Sequence, residues 1–170
     1  MVKYDSKTKE GKCIFCEIAT NKIQPMAKGK FYETEKFVAW LSPFPSTEGF
    51  TVLIPKKHYP SDVLGMPDME LGEFILEAKK ISKVLIKHFE DVGRIGLIME
   101  GTGIDHAHIK LFPMHGTEHM KHGEWKQYLS GKEDYFEKYP GYLVSHDGPK
   151  ADFGKIEALA KKLREETNKK

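Results

Sequence analysis

Between Gly101 and Pro113 the chain reads Gly-Thr-Gly-Ile-Asp-His-Ala-His-Ile-Lys-Leu-Phe-Pro, which sets two imidazoles and an ammonium at alternate positions, His106, His108 and Lys110. On a strand, successive side chains point to opposite faces. The spacing therefore predicts a strand over 104–112, with His106, His108 and Lys110 on one face and Ala107, Ile109 and Leu111 on the other. At about 3.3 Å per residue, alternate positions lie roughly 6 to 7 Å apart, near enough for three basic groups to converge on one phosphate-sized object. Gly101 and Gly103 predict a bend that brings main chain close to a ligand. The same alternation also describes an ordinary half-buried strand that shows polar side chains to solvent.

The second chemical feature is Cys13-x-x-Cys16, the only cysteines in the chain. A spacing of this kind suits a metal or a redox dithiol better than a structural disulfide. His115, His119 and His122 fall at helical spacing, which serves a metal or a solvated surface equally well.

The elements that must position these residues are legible from periodicity. Ile14, Phe15 and Ile18 recur at helical spacing around the cysteines. Stretches 30–33 and 37–41 read as a hairpin of short strands, and 42–49 is dense in turn formers. An apolar strand over 50–55 ends at Pro55. From 67 to 89 the apolar residues Met69, Leu71, Phe74, Ile75, Ala78, Ile81, Leu85 and Ile86 recur at three and four, the pattern of a long amphipathic helix. A strand over 94–99 precedes the histidine-bearing one. Beyond Pro113 the sequence predicts a helix over 114–129, a short strand over 141–145 and a last helix over 151–166, whose Phe153, Ile156, Leu159, Ala160 and Leu163 share a face. Residues 1–12 read as a frayed polar start.

A chain of 170 residues, 39% hydrophobic, supports one core. Its 27 basic and 25 acidic residues leave a formal charge of +2, too little to draw the whole molecule onto nucleic acid or an anionic membrane, so any phosphate affinity must be local. No apolar run reaches the roughly 18 to 20 residues of a membrane span, and the lysine-bearing start lacks the apolar region of a secretory signal. The expectation is a soluble, cytoplasmic protein.

The run His106-Ala-His108-Ile-Lys110-Leu-Phe-Pro113 resembles the signature of the histidine triad (HIT) family, His-x-His-x-His followed by apolar residues, with Lys110 in place of the third histidine. The resemblance covers 13–113. It implies an α+β fold with a five-stranded antiparallel sheet, one long helix, a zinc-tied N-terminal segment and, here, a C-terminal helical extension over 114–170 packed on the same domain. It also implies a ligand set. Zinc-binding bacterial members use an N-terminal Cys-x-x-Cys, the histidine of a Val-Ile-Pro-Lys-x-His segment and the first triad histidine, which match Cys13, Cys16, the His58 of Leu53-Ile-Pro55-Lys-Lys-His58, and His106. Two thiolates and two imidazoles close a tetrahedral site, so the zinc is expected to be structural.

By the same resemblance His108 is the catalytic nucleophile, attacking an α-phosphorus while a neighbouring main-chain carbonyl holds its other ring nitrogen. Lys110 would hold the phosphate as a point charge. The positions that line the base pocket in relatives match Ile14, Phe15, Ile18, Trp40 and Pro43. Ser42 stands where relatives carry a ribose-binding Asp, Phe50 where many carry a histidine, and the loop 99–103 lacks their Asn and Gly-Gln, leaving Thr102 and main-chain amides to hold phosphate. The implied activity is hydrolysis at the α-phosphate of a nucleotide conjugate, a nucleoside phosphoramidate or a dinucleoside polyphosphate, by a homodimer whose residues 135–145 reach the partner's site. Its rivals are a nucleotidylyltransferase and a zinc-stabilised nucleotide-binding module without turnover.

Overall fold

The computed structural model describes residues 13–126, 128 and 130–167. The expected frayed start at 1–12 lies outside them. The chain divides into two compact units between Trp125 and Lys126.

In the first unit a single turn and a half of helix, α1 (Ile14–Ala19), leads through a 3-10 turn to β1 (Lys30–Glu33), β2 (Phe37–Leu41) and β3 (Thr51–Pro55). The long helix α2 (Asp68–His88) follows, then β4 (Ile95–Ile98) and β5 (Ile109–Pro113). The strands form one antiparallel sheet in the order β1-β2-β3-β5-β4. The architecture is thus the expected α+β one, a five-stranded antiparallel sheet with one long helix.

Alternation decides which side chains meet which layer. Phe37, Ala39, Leu53, Ile109 and Leu111 point to the face covered by α2, where they pack with Phe74, Ala78, Ile81 and Leu85. The rings of Phe37 and Phe74 stack with centroids 5.6 Å apart. Each of the buried Phe, Leu and Ile side chains among them contributes about 1.5–3 kcal/mol. Val38, Trp40 and Ile54 point the other way and pack with Ile18, Ala19, Phe15 and Val52. Because both faces are covered, β2 is buried at four consecutive positions rather than at every second one.

Helix α2 carries Asp68 and Glu70 in its first turn and Lys87 and His88 in its last, matching the helix dipole at both ends. Its one buried acid, Glu77, accepts from the Tyr32 hydroxyl at 2.7 Å and from Lys80 at 2.7 Å. Burial, and then that carboxylate, push the Tyr32 hydroxyl up to about 12.

Three sequence-based expectations are corrected. The ladder of β5 begins at Ile109, not at 104. Before it the main chain bends, with the His106 amide donating to Ile104 O (2.8 Å) and the Ala107 amide to Tyr59 O (2.8 Å), so side-chain alternation runs ahead of strand pairing. In place of a helix over 114–129, the described residues hold one 3-10 segment, Glu118–His122, bracketed by Gly116 and Gly123 at φ 77° and 81°. Position 129 itself lies outside the described residues. The strand expected over 141–145 is a run of bends and irregular chain, and Gly141 sits at φ 99° with no partner strand among the described residues of its unit.

The second unit holds α3 (Phe153–Thr167), close to the helix read from the sequence. Asp152 caps it, its Oδ1 accepting from the Gly154 amide at 2.9 Å. None of its residues is buried.

Candidate active site and metal cluster

Cys13 precedes α1 and Cys16 lies within it, so one turn of helix presents both sulfurs on the side that meets the sheet. His106 faces them from the bend before β5. Its Nε2 lies 2.9 Å from Pro55 O, so it donates there and leaves Nδ1 as the free lone pair. That Nδ1 lies 3.4 Å from Cys13 Sγ and 3.5 Å from Cys16 Sγ. His58, just beyond β3, brings its Nδ1 to 3.4 Å from Cys16 Sγ. All four donor atoms lie within 4.8 Å of one another, and among the described residues this is the one His/Cys/Asp/Glu group of metal-binding proximity. His115, His119 and His122 form no such group; His115 instead bonds Asp91 and Glu48 O.

The residues fit zinc. Donors at about 2.3 Å (sulfur) and 2.0–2.1 Å (nitrogen) around a tetrahedral ion sit about 3.5 Å from each other, the spacing seen here. Without a metal, burial and the neighbouring Cys13 push the Cys16 thiol up to about 11, and burial pushes His106 down to about 4. His106 is therefore neutral, as a ligand must be. Closing the four positions would tie α1 to the bend before β5 and supply no catalytic water.

His108 sits two residues on, 4% exposed, and its Nδ1 donates to His106 O at 2.8 Å. The Nε2 lone pair is left for the cavity. Burial lowers its pKa first and foremost, the bond to His106 O opposes this, and the charge of Lys110 adds to the lowering, so the neutral form prevails at neutral pH.

The cavity over His108 has a volume of about 360 Å³. Its walls include every residue expected to touch substrate: Ile14, Phe15 and Ile18 from α1, Trp40 from β2, Ser42 and Pro43 after it, Thr102 before β5, with His108 and Lys110 at its base. Phe15 stands edge-on to Trp40 (5.2 Å) and to both His106 (5.9 Å) and His108 (5.7 Å), so one ring links the metal cluster, the apolar wall and the candidate nucleophile. Ser42 Oγ accepts from the Phe44 amide at 3.2 Å, and Phe50 stacks on Phe112 at 4.4 Å. Those two positions are thus occupied by loop and aromatic packing.

Sequence reasoning missed Pro25, Met26, Phe44, Val52 and Ile104 in the wall. It also missed Glu100, which pairs with Lys110. Residue type and spacing carry no signal for such a pair, because it joins the segment after β4 to β5. Gly101, φ +65°, approaches the Ser61 main chain rather than the cavity, whereas Gly103, φ +92°, does line it.

Comparison with known proteins settles the lineage. Residues 24–117, more than half of the chain, match the HIT domain. The chain belongs to the HIT family. An uncharacterised HIT-like protein of Methanocaldococcus jannaschii is 35% identical over 120 residues, covering 67% of this chain and 89% of that one. An adenosine 5'-monophosphoramidase of Candida albicans is 27% identical over 165 residues, 92% of each chain. The crystal structure of a histidine triad nucleotide-binding protein from Candida albicans superposes with a TM-score of 0.60 at 25% identity, covering 93% of this chain and 99% of that one. His106, His108 and Lys110 all lie within the matched span.

Proposed function

We propose that this HIT protein hydrolyses a nucleotide conjugate at its α-phosphate, a nucleoside phosphoramidate or a dinucleoside polyphosphate, through a nucleotidyl intermediate on His108. The observation that carries the reading is the pinned ring of His108: Nδ1 is committed to His106 O, and the residue lines the base of an apolar cavity beside Lys110. Nε2 attacks phosphorus and forms a P–N bond while the bond to the leaving group breaks. The leaving group takes up a proton from solvent as it departs; water then cleaves the P–N bond, its oxygen passing to phosphorus and one proton returning to solvent, which releases the nucleoside monophosphate and restores the neutral imidazole. Lys110 offsets the negative charge that gathers on the phosphoryl oxygens, and Thr102 donates to them. The ring faces of Phe15 and Trp40 and the side chains of Ile14, Ile18 and Pro43 take the base, with Ser42 near the sugar. The phosphoramidase named among the relatives supports the first substrate class.

Zinc on Cys13, Cys16, His58 and His106 is structural in this reading, and the protein works in the cytoplasm as a homodimer. Lys110 also favours a second reading, nucleotidyl transfer, because transferring branches of the family carry a residue other than histidine at the third position.

The test is intact-protein mass spectrometry after brief mixing with adenosine phosphoramidate or a dinucleoside polyphosphate, on wild type and His108→Ala. An adduct on wild type alone that decays in water supports hydrolysis; one that decays only when a phosphate acceptor is added supports transfer. Nucleotide binding with neither adduct nor product overturns both in favour of a binding module.

A further inference from the structure

Among the described residues, Lys110 is the only Lys, Arg, Asp or Glu in the cavity wall, and it is paired with Glu100. Ile98 on β4 is the cross-strand partner of Lys110, and Glu100, two residues further on, continues the side of that chain that faces it. The direction of Glu100 is set by its neighbour. Gly101 holds φ +65°, and a Cβ there would lie 2.8 Å from Ser61 O, so the main chain is wedged against the segment after β3. Both side chains of the pair are mostly buried, with exposures of 25% and 13%. The attraction is thus screened less than on an open surface.

We infer that Glu100 is a specificity-determining residue: it cancels the charge of Lys110 and so sets the cavity against polyanionic leaving groups. The inference rests on the reading of the cavity as a nucleotide site. An ammonium has three donors, and a carboxylate that accepts from one of them leaves others for a phosphoryl oxygen. Contact geometry is therefore kept while net attraction is lost. Apart from Lys110, the described residues of the wall include no acidic, lysine or arginine side chain, so the charge available to a chain of phosphates is set by the Lys110–Glu100 pair. A singly charged phosphorus with a neutral leaving group meets little repulsion from Glu100, whereas each further phosphate adds to it. Glu100 also positions Lys110, because the pair immobilises a side chain with four rotatable bonds beside the phosphorus.

The experiment measures calorimetric affinity for AMP, ADP and ATP on wild type, Glu100→Gln, Lys110→Gln and the double variant, with turnover of adenosine phosphoramidate and diadenosine tetraphosphate alongside. For wild type the expected affinity is flat or falling from AMP to ATP. Glu100→Gln should raise ATP affinity about tenfold relative to AMP and shift the kcat/KM ratio toward the tetraphosphate by a similar factor. Lys110→Gln, which removes the ammonium and keeps the Glu100 carboxylate, should lower ATP affinity more than AMP affinity, and the double variant should return the ratio close to that of wild type. If nucleotides bind but Glu100→Gln leaves the AMP-to-ATP ratio unchanged, the inference is overturned and the proposed function stands. If Glu100→Gln does not fold, the Lys110→Gln ratio decides alone, an unchanged ratio overturning the inference. If no variant binds any nucleotide, the reading of the cavity fails and the inference with it.

Discussion

The ring of His108 donates to the main-chain oxygen of His106, 2.8 Å away, while the ring of His106 faces two cysteine sulfurs. The residue that closes the Cys/His cluster therefore also fixes the tautomer of the residue at the base of the cavity. A metal at the cluster would act on the site through geometry: it would hold His106, whose main-chain oxygen orients the ring of His108. Phe15, perpendicular to both rings, fills the angle between them.

Replacing His108 by Ala removes the candidate nucleophile and a buried ring, but leaves the metal donors and both apolar clusters in place. Phosphoramidate turnover should fall by at least about 10³-fold. Circular dichroism and metal content should be unchanged. Turnover within tenfold of wild type would remove His108 from the chemistry.

Purified protein should contain one zinc per chain by atomic emission. Cys13→Ser and His106→Ala should lose it and lower Tm by roughly 10 °C or more, whereas His58→Ala, which removes an exposed donor, should weaken binding with a smaller loss of Tm. The sign of the pH dependence follows from Cys16. Its metal-free thiol, at about 11, is protonated at neutral pH and must release that proton to bind. Chelator competition should show affinity rising with pH. Wild-type metal retention in His106→Ala would break the assignment.

Much of this arrangement was legible in the sequence, and the exceptions have physical causes. The period of α2 gave its ends to within a residue or so, because an amphipathic helix is coded by local spacing. The cysteine pair and the His-x-His-x-Lys run were legible because metal and phosphate chemistry restrict residue types. The start of β5 was not: His106 and Ala107 alternate as a strand would, yet their amides bond Ile104 and Tyr59 outside the ladder. The partnership of Glu100 with Lys110 depends on register between strands ten residues apart, which composition does not encode. Between Pro113 and α3 the apolar residues follow neither period for long, and glycines at positive φ (Gly116, Gly123 and Gly141) interrupt the elements expected there.

His115 and Asp91 supply a pH-dependent tie between the loop after α2 and the chain beyond β5. The Glu48 carbonyl, and then Asp91, raise His115 above its ordinary 6.5, while His115 lowers Asp91 below 3.8. The His115 contribution is complete below pH 6.5 and is lost as pH rises through its raised pKa. The Asp91 contribution is complete above pH 3.8 and is lost as pH falls through its lowered pKa. Both groups are largely solvated, so the effect is small. Thermal melts should show His115→Gln less stable than wild type near about pH 5.5, with the gap closing by about pH 8.5. A gap that widens with pH would reverse the assignment.

Gly101→Ala tests whether the wedge behind Glu100 is needed. The residue holds φ +65°, and the added methyl would meet Ser61 O at 2.8 Å, a main-chain atom that cannot swing away. The strained dihedral and the contact together cost about 1–3 kcal/mol, which lowers Tm by roughly 5 °C in a chain of this size. Relief requires the loop 99–103 to move, and Glu100 moves with it. Phosphoramidate kcat should therefore fall along with Tm, while the zinc content, set by residues on other segments, stays at wild-type level. Lowered Tm with unchanged kcat would confine Gly101 to folding, and unchanged Tm would show that the Ser61 segment yields freely.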